Sequence, residues 1–269
     1  MKRWCKGRRD EAEAQLKSSW DLRIERAGEL SGKHSIASEL LEFYQHLARF
    51  QKSVYERLAS TEDHDVAVLL SFFPGLISTV KEHGSEPLKQ AAESLAQASR
   101  EDWLELLTSI WQHEAESQEL APEYAFFARA LLQPYAEHLA GKTAIPPEGN
   151  PPICPFCGSR PQVAVLRPEG DGGKRSLVCS LCSTEWNFRR QKCPNCGEEH
   201  KDKLPVFVAQ DFDYVRVDAC ETCHTYIKSI DMTKNGRAVP VVDELATVSL
   251  NLWAQEKNYQ KYGPNLFGV

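Results

Sequence analysis

Eight cysteines arranged as four Cys-x-x-Cys pairs place the strongest constraint on this chain. The pairs are Cys154-Pro-Phe-Cys157-Gly, Cys179-Ser-Leu-Cys182, Cys193-Pro-Asn-Cys196-Gly and Cys220-Glu-Thr-Cys223. Intervals of 21, 10 and 23 residues separate them, and all lie within 70 of the 269 residues. Two thiolates at i and i+3 on a tight turn both reach one metal ion, and a second such pair completes a tetrahedral site of four sulfurs. Gly158 and Gly197 each follow the second cysteine of a pair. Glycine there admits positive φ, so that backbone N–H groups can turn toward the sulfurs and favour the thiolate. The candidate metal ligands are therefore Cys154, Cys157, Cys179, Cys182, Cys193, Cys196, Cys220 and Cys223.

The two long intervals read as β-hairpins. In the first, Pro161–Arg167 is strand-like, Pro168–Gly173 a turn, and Arg175–Val178 returns to the second pair. In the second, Leu204–Ala209 goes out and Tyr214–Val217 comes back. Each half then runs knuckle, strand, turn, strand, knuckle. That order favours sequential pairing, with the first two pairs on one metal and the last two on another. Cross-bracing, first pair with third and second with fourth, stays open but leaves the hairpins without a reason. Disulfides would give the same even count, but cytosolic thiols stay reduced. A thioredoxin-like motif is a single pair opening a helix, not four pairs around hairpins. An all-cysteine site has no open coordination position, so its leading role is structural. Metal binding supplies on the order of 10 kcal/mol to the folding of such small modules. Spacing does not choose between zinc and a rubredoxin-type single iron.

Upstream, no cysteine occurs from Lys6 to Ile153, and the pattern is helical. Leu40, Leu41, Tyr44, Leu47, Ala48 and Val54 form one apolar stripe on a helix of about five turns. Val66–Val80 reads as helix broken at Pro74-Gly75, and Leu88–Trp111 as one helical run. Pro122–Ala140 reads as a helix that Pro134 should bend or split. Gly141–Pro152 holds four prolines and two glycines and cannot continue a helix. Asp243–Tyr259 reads as one more helix, its apolar face set by Leu245, Val248, Leu252 and Trp253 and packed between the two halves. The expected fold class is α+β: an N-terminal all-α domain, two tandem rubredoxin-like or zinc-ribbon β modules, and a C-terminal helix. The expected boundaries are 1–145 for the helical domain, 153–190 and 191–231 for the two ribbons, and 240–269 for a helix and tail packing back on the protein.

Charge narrows the function. There are 32 basic and 38 acidic residues, a net of −6, and the cysteine window is near balance. That is a poor footprint for gripping phosphate backbones, so no nucleic acid is expected as partner. The longest apolar stretch, Val66–Ile77, is interrupted by Ser71 and Pro74 and falls short of the ~20 residues a span needs. The opening MKRWCKGRRD has no apolar region behind it, so it does not read as a secretory or working twin-arginine leader, and the expected compartment is the cytoplasm. Cys5 reads as a free thiol near a mobile terminus. His200 and His224 read as solvated neighbours of the clusters, Trp186 and Phe188 as core between the ribbons, and Arg189-Arg190-Gln-Lys192 as a solvated linker. There is no Gly-rich phosphate loop, HExxH or GxSxG, and neither a catalytic residue nor an enzyme is expected.

Particular residues resemble a known family. Cys154-Pro-Phe-Cys-Gly-Ser-Arg-Pro161, Leu177-Val-Cys-Ser-Leu-Cys-Ser-Thr-Glu-Trp186, Lys192-Cys-Pro-Asn-Cys-Gly197 and Asp218-Ala-Cys-Glu-Thr-Cys-His-Thr-Tyr-Ile-Lys228 are similar to the formate dehydrogenase accessory protein FdhE family. So are Asp243-Glu-Leu-Ala-Thr-Val-Ser-Leu250 and the tail Gly263-Pro-Asn-Leu-Phe267, whose Pro-Asn order departs from the family's Asn-Pro. The resemblance runs from about residue 150 to the end and is weaker over the helical half. It implies a cytoplasmic maturation factor, a chaperone-like protein that binds the catalytic subunit of formate dehydrogenase before its export. It also implies two metal ions, each in a site of four cysteines, iron in rubredoxin-like form, on the eight cysteines named above, with zinc the alternative. A homodimer stays open. Two other readings compete with it: a rubredoxin-like electron-transfer protein, and a zinc-ribbon protein that binds nucleic acid.

Overall fold

The computed structural model describes residues 18–61, 65–112, 120–143, 149–169 and 172–268; Cys5 lies outside them. Helix α1 (Ser19–Ser31) starts at Ser18, whose hydroxyl accepts from the Asp21 N–H at 3.1 Å. Helix α2 (Ser38–Ala59) buries the expected stripe, with Leu41, Tyr44, Leu47, Ala48 and Val54 in the core and Leu40 half-buried. A 3-10 turn over Val66–Phe72 leads into α3 (Phe73–His83), which carries Pro74 in its first turn, where no N–H is needed. The expected run from Leu88 to Trp111 is two helices, α4 (Glu86–Gln97) and α5 (Arg100–Trp111). Ser99 and Asp102 form a reciprocal cap between them, Asp102 accepting from the Ser99 N–H at 2.8 Å, and this cap starts a new helix.

Helix α6 (Pro122–Lys142) is not split at Pro134. A proline there leaves the Ala130 carbonyl without its helical donor. The fully buried Gln51 of α2 supplies the replacement, its Nε2 donating to Ala130 O at 2.9 Å. The lost helical bond is thus replaced between helices, which satisfies the buried Ala130 carbonyl.

The second half is built on one sheet. Strands β1 (Pro161–Glu169), β2 (Gly172–Cys179) and β3 (Glu185–Asn187) form an antiparallel meander, as do β4 (Val206–Val208), β5 (Val215–Ala219) and β6 (Thr225–Asp231). The two meanders join where β1 pairs parallel with β6, Val163 opposite Lys228 and Leu166 opposite Asp231. The order is β3-β2-β1-β6-β5-β4, the same three-strand unit used twice, head to tail. The ribbons are therefore fused into one sheet rather than strung side by side. Strands β3 and β6 extend the hairpins that the sequence suggested.

Beyond the sheet, the expected single helix is two, α7 (Pro240–Ala246) and α8 (Val248–Glu256), followed by a short strand β7 (Gln260–Lys261) alongside β6. Thr247 divides the helices. Its carbonyl and hydroxyl oxygens, both 3.2 Å from Lys228 Nζ, help to hold that fully buried ammonium. Helix α7 packs on α1 and α2 and on β1 and β6. The tail returns to the helical half, where the Phe267 ring stacks on Phe126 at 5.6 Å and meets Phe43 at 5.8 Å. One core runs from the helices through Cys154, Cys179, Leu181, Cys182, Trp186 and Phe188. A second, on the other face of the sheet, gathers Val163, Val165, Val178, Val215, Val217 and Ile230 under α8. Trp186 and Phe188 thus belong to the seam between helices and first ribbon, not to a core between the ribbons. Trp186 Nε1 donates to Pro151 O at 2.9 Å, tying the proline-rich segment to that seam.

Candidate metal centres

The thiols meet in two groups of four: Cys154, Cys157, Cys179 and Cys182, and Cys193, Cys196, Cys220 and Cys223. Within each group all sulfurs lie within 4.8 Å of one another. Pairing is sequential, one group per meander, and the cross-braced alternative does not occur. In the first group Cys154 and Cys182 are 3.5 Å apart, Cys157 and Cys179 3.4 Å, and Cys157 and Cys182 3.5 Å. In the second, Cys193–Cys223 and Cys196–Cys220 are both 3.6 Å. None of the eight is in a disulfide. Four ligands about 2.3 Å from a common tetrahedral centre sit about 3.8 Å apart, so both groups are close to the size of a four-thiolate cage. The donor set fits zinc or a single iron.

All four knuckles use one backbone design. The N–H of the first cysteine donates to the carbonyl five residues on: Cys154 to Ser159, Cys179 to Thr184, Cys193 to Glu198 and Cys220 to Thr225, at 2.8 to 2.9 Å. The residue after the second cysteine has positive φ each time, 74° at Gly158, 53° at Ser183, 79° at Gly197 and 54° at His224. The Cys179 sulfur accepts from the N–H groups of Leu181 at 3.3 Å and Cys182 at 3.5 Å. Thr184 Oγ1 lies 3.0 Å from Cys182 Sγ, and Thr225 Oγ1 lies 3.0 Å from Cys223 Sγ. The repeated Cys-x-Thr at 182–184 and 223–225 is the sequence signal for these hydroxyls. It escapes a reading that follows the cysteines alone.

Crowding splits the thiols of each group. In the first, hydrogen bonds from Cys154, Cys179 and Cys182 hold Cys157 far below the usual thiol range. Burial drives Cys179 up, and the neighbouring Cys154 and Cys157 drive Cys182 up. In the second, desolvation pushes Cys196 up to about 12. Desolvation acts upward on Cys223 as well, but hydrogen bonds from Thr225 and Asn195 outweigh it and bring that thiol down to about 6. Each group therefore holds thiols poised to ionise beside thiols that resist it, and a cation shared among the four relieves that conflict.

The helical half grips the first group directly. Gln133 Nε2 of α6 donates to Ser180 O at 3.0 Å. Arg23 of α1 donates to Ser183 Oγ at 3.1 Å and to Glu137 at 2.7 Å, and the Ser183 hydroxyl donates to Glu137 at 2.8 Å. A second tie runs to α7. The buried Arg26 clasps Asp243 with two bonds, 3.1 and 2.6 Å, and Tyr214 donates to the same carboxylate at 2.8 Å. Next to it Glu244 takes Lys228 at 2.9 Å, Lys261, and Asn265 at 2.8 Å. Burial alone would raise the Glu244 pKa, but the ammonium groups of Lys228 and Lys261 outweigh it and hold it down at about 2. His200 and His224 are exposed and belong to neither group.

Over 272 residues the chain is 30% identical to the protein named FdhE homolog of Aquifex aeolicus, covering 92% of this chain and 95% of that one. This chain belongs to the FdhE family. Within it, residues 153–190 match the FdhE central domain and residues 191–267 the FdhE C-terminal domain. The FdhE homolog of Pectobacterium carotovorum is 30% identical over 275 residues, covering 94% of this chain and 88% of that one. The crystal structure of the FdhE protein from Pseudomonas aeruginosa superposes with a TM-score of 0.72 at 22% identity, over 94% of this chain and 97% of that one, and shares its fold. Among the described residues no helix is long and apolar enough to cross a membrane.

Proposed function

We propose that the protein is a cytoplasmic, non-enzymatic maturation factor for formate dehydrogenase that binds the catalytic subunit before export. Family membership supports this reading, and the observation that carries it is the pair of four-cysteine groups, the first of them locked to a helical body. The eight cysteines would each be a metal ligand, four per ion, iron by family resemblance and zinc as the alternative. The units would be the helical domain to about residue 145, ribbons at 153–190 and 191–231, and a C-terminal unit at 240–269. When bound, an iron in four thiolates supplies one-electron chemistry, whereas zinc supplies only structure.

The chain's own residues define the rest. Thr184 and Thr225 orient one sulfur per centre, Gln133 and Ser183 fix the Cys179–Cys182 knuckle of the first group on the helices, and Cys196 leaves the second group facing solvent. Affinity capture tests the partner: the protein should enrich a formate dehydrogenase catalytic subunit over an unrelated exported enzyme, and equal recovery of both would defeat the reading. Elemental analysis of protein purified without added metal tests the centres, with two equivalents expected per chain.

A further inference from the structure

Beside the second four-cysteine group lies a cleft of about 260 Å³ that the proposed function leaves unused. Arg175, Arg190, Lys192, Lys201 and Arg216 line it, against one carboxylate, Asp218. We propose that this cleft binds a compact phosphate-class oxyanion, free or esterified.

The site is built around a buried guanidinium. The Arg175 side chain is 2% exposed. Its NH1 donates to Arg189 O at 3.2 Å and Lys192 O at 3.1 Å, and so holds the linker that carries Arg190 and Lys192. Phe188 lies against it, ring centroid 5.6 Å from the guanidinium carbon. Among the described residues the Arg175 Nε, the Arg216 Nε and one carboxylate oxygen of Asp218 are all buried without a hydrogen-bond partner, so the unmet donors outnumber the unmet acceptor. Asp218 stands 3.5 Å from Arg175 and 3.4 Å from Arg216, so one carboxylate is divided between two guanidiniums, and it also accepts from Ser229 at 2.6 Å. Arg190 and Lys201 pair with no carboxylate among the described residues, while Lys192 meets Glu199 at the rim at 3.1 Å.

Five cations converge here in a chain whose net charge is −6. They leave the cleft positive even with Glu199 and a doubly negative metal–thiolate centre set against them. The charges of Arg190 and Lys201 are answered by no carboxylate among the described residues, and guanidinium with phosphate makes charge-assisted bonds of the strong kind. The wall formed by Pro194, Tyr226 and Tyr262 gives room for the organic part of an ester. The small volume of the cleft favours a compact ligand over a polymer backbone, which needs an extended track.

The test is calorimetric titration of the full, metal-loaded chain with inorganic phosphate and with adenosine monophosphate, at matched ionic strength. Saturable binding of either probe is expected, the tighter of the two showing whether the phosphate is free or esterified. R190Q combined with K201Q alters two exposed side chains and should weaken binding about tenfold or more with metal content unchanged. R216Q should do the same, and K81Q with K89Q on the helical half should change nothing. Four results would overturn the proposal: no saturable binding of either probe, binding undiminished in R190Q/K201Q, binding lost together with metal, or binding confined to a single-stranded oligonucleotide.

Discussion

At the first four-cysteine group Cys154, Cys179 and Cys182 are buried, and the core around them is continuous with the helical half. At the second, Cys196 is exposed and Cys223 half-buried, and none of the four joins either apolar core. The knuckles are locally alike in hydrogen bonding and in φ. The difference comes from the surroundings: α1 and α6 reach the first group through Arg23, Gln133 and Glu137, whereas a basic cleft flanks the second. One local design therefore serves as an anchor in one place and as an accessible surface in the other. What a knuckle does here is decided by the elements packed around it.

The sharpest way to break this contrast is to remove one ligand from each group. C179S should lose one metal equivalent and unfold the seam to the helices, since such sites contribute on the order of 10 kcal/mol. C196S should lose the other equivalent while the helical half stays folded. Metal analysis with circular dichroism reads both, and equal collapse of the two variants would erase the distinction. Next in size is the tie to α7. R26M should cost about 3–5 kcal/mol in chemical denaturation, because it strands the fully buried Asp243 carboxylate.

A pH experiment addresses the neighbouring carboxylate. Glu244 is held down at about 2 from an ordinary 4.5, so the folded form binds its proton less readily than the unfolded form does. Its contribution is complete above pH 4.5 and is lost as the pH falls toward 2, up to about 3 kcal/mol. Stability curves of wild type and E244Q should therefore converge across that window and run parallel above it. The smallest effects compare the two knuckles that place a non-glycine residue at positive φ. H224G should stabilise by up to about 1 kcal/mol, since the His224 side chain is exposed and glycine relieves the strain. S183G should instead destabilise by about 1 kcal/mol or more, because the hydroxyl bonds to Arg23 and Glu137 are worth more than the relief. Thermal melts of the pair give the comparison directly.

Cysteine spacing made the two groups and their sequential pairing legible, and Gly158 and Gly197 marked two of the four positive-φ positions. Ser183 and His224 gave no such sign, since neither residue type announces that backbone. Strand β6 was harder to see because it is buried on both faces, so Lys228 and Ser229 break any alternation of polar and apolar residues. The Lys228 partner, Glu244, lies sixteen residues further on in a helix. The division between α4 and α5 was written in Ser99-x-x-Asp102 but hidden by the helical pattern on either side. The division at Thr247 follows from a tertiary contact that no local pattern encodes.

Using one three-strand unit twice, head to tail, has a consequence for solubility. Such stacking is translational: it does not close on itself, and each outer margin matches the junction in the middle. Left long, those margins would invite another molecule's strand and then another, in an open filament. Both outermost strands, β3 and β4, are three residues each, against nine and seven for the pair that forms the internal join. Growth by strand addition is thus stopped by brevity at both ends of the array.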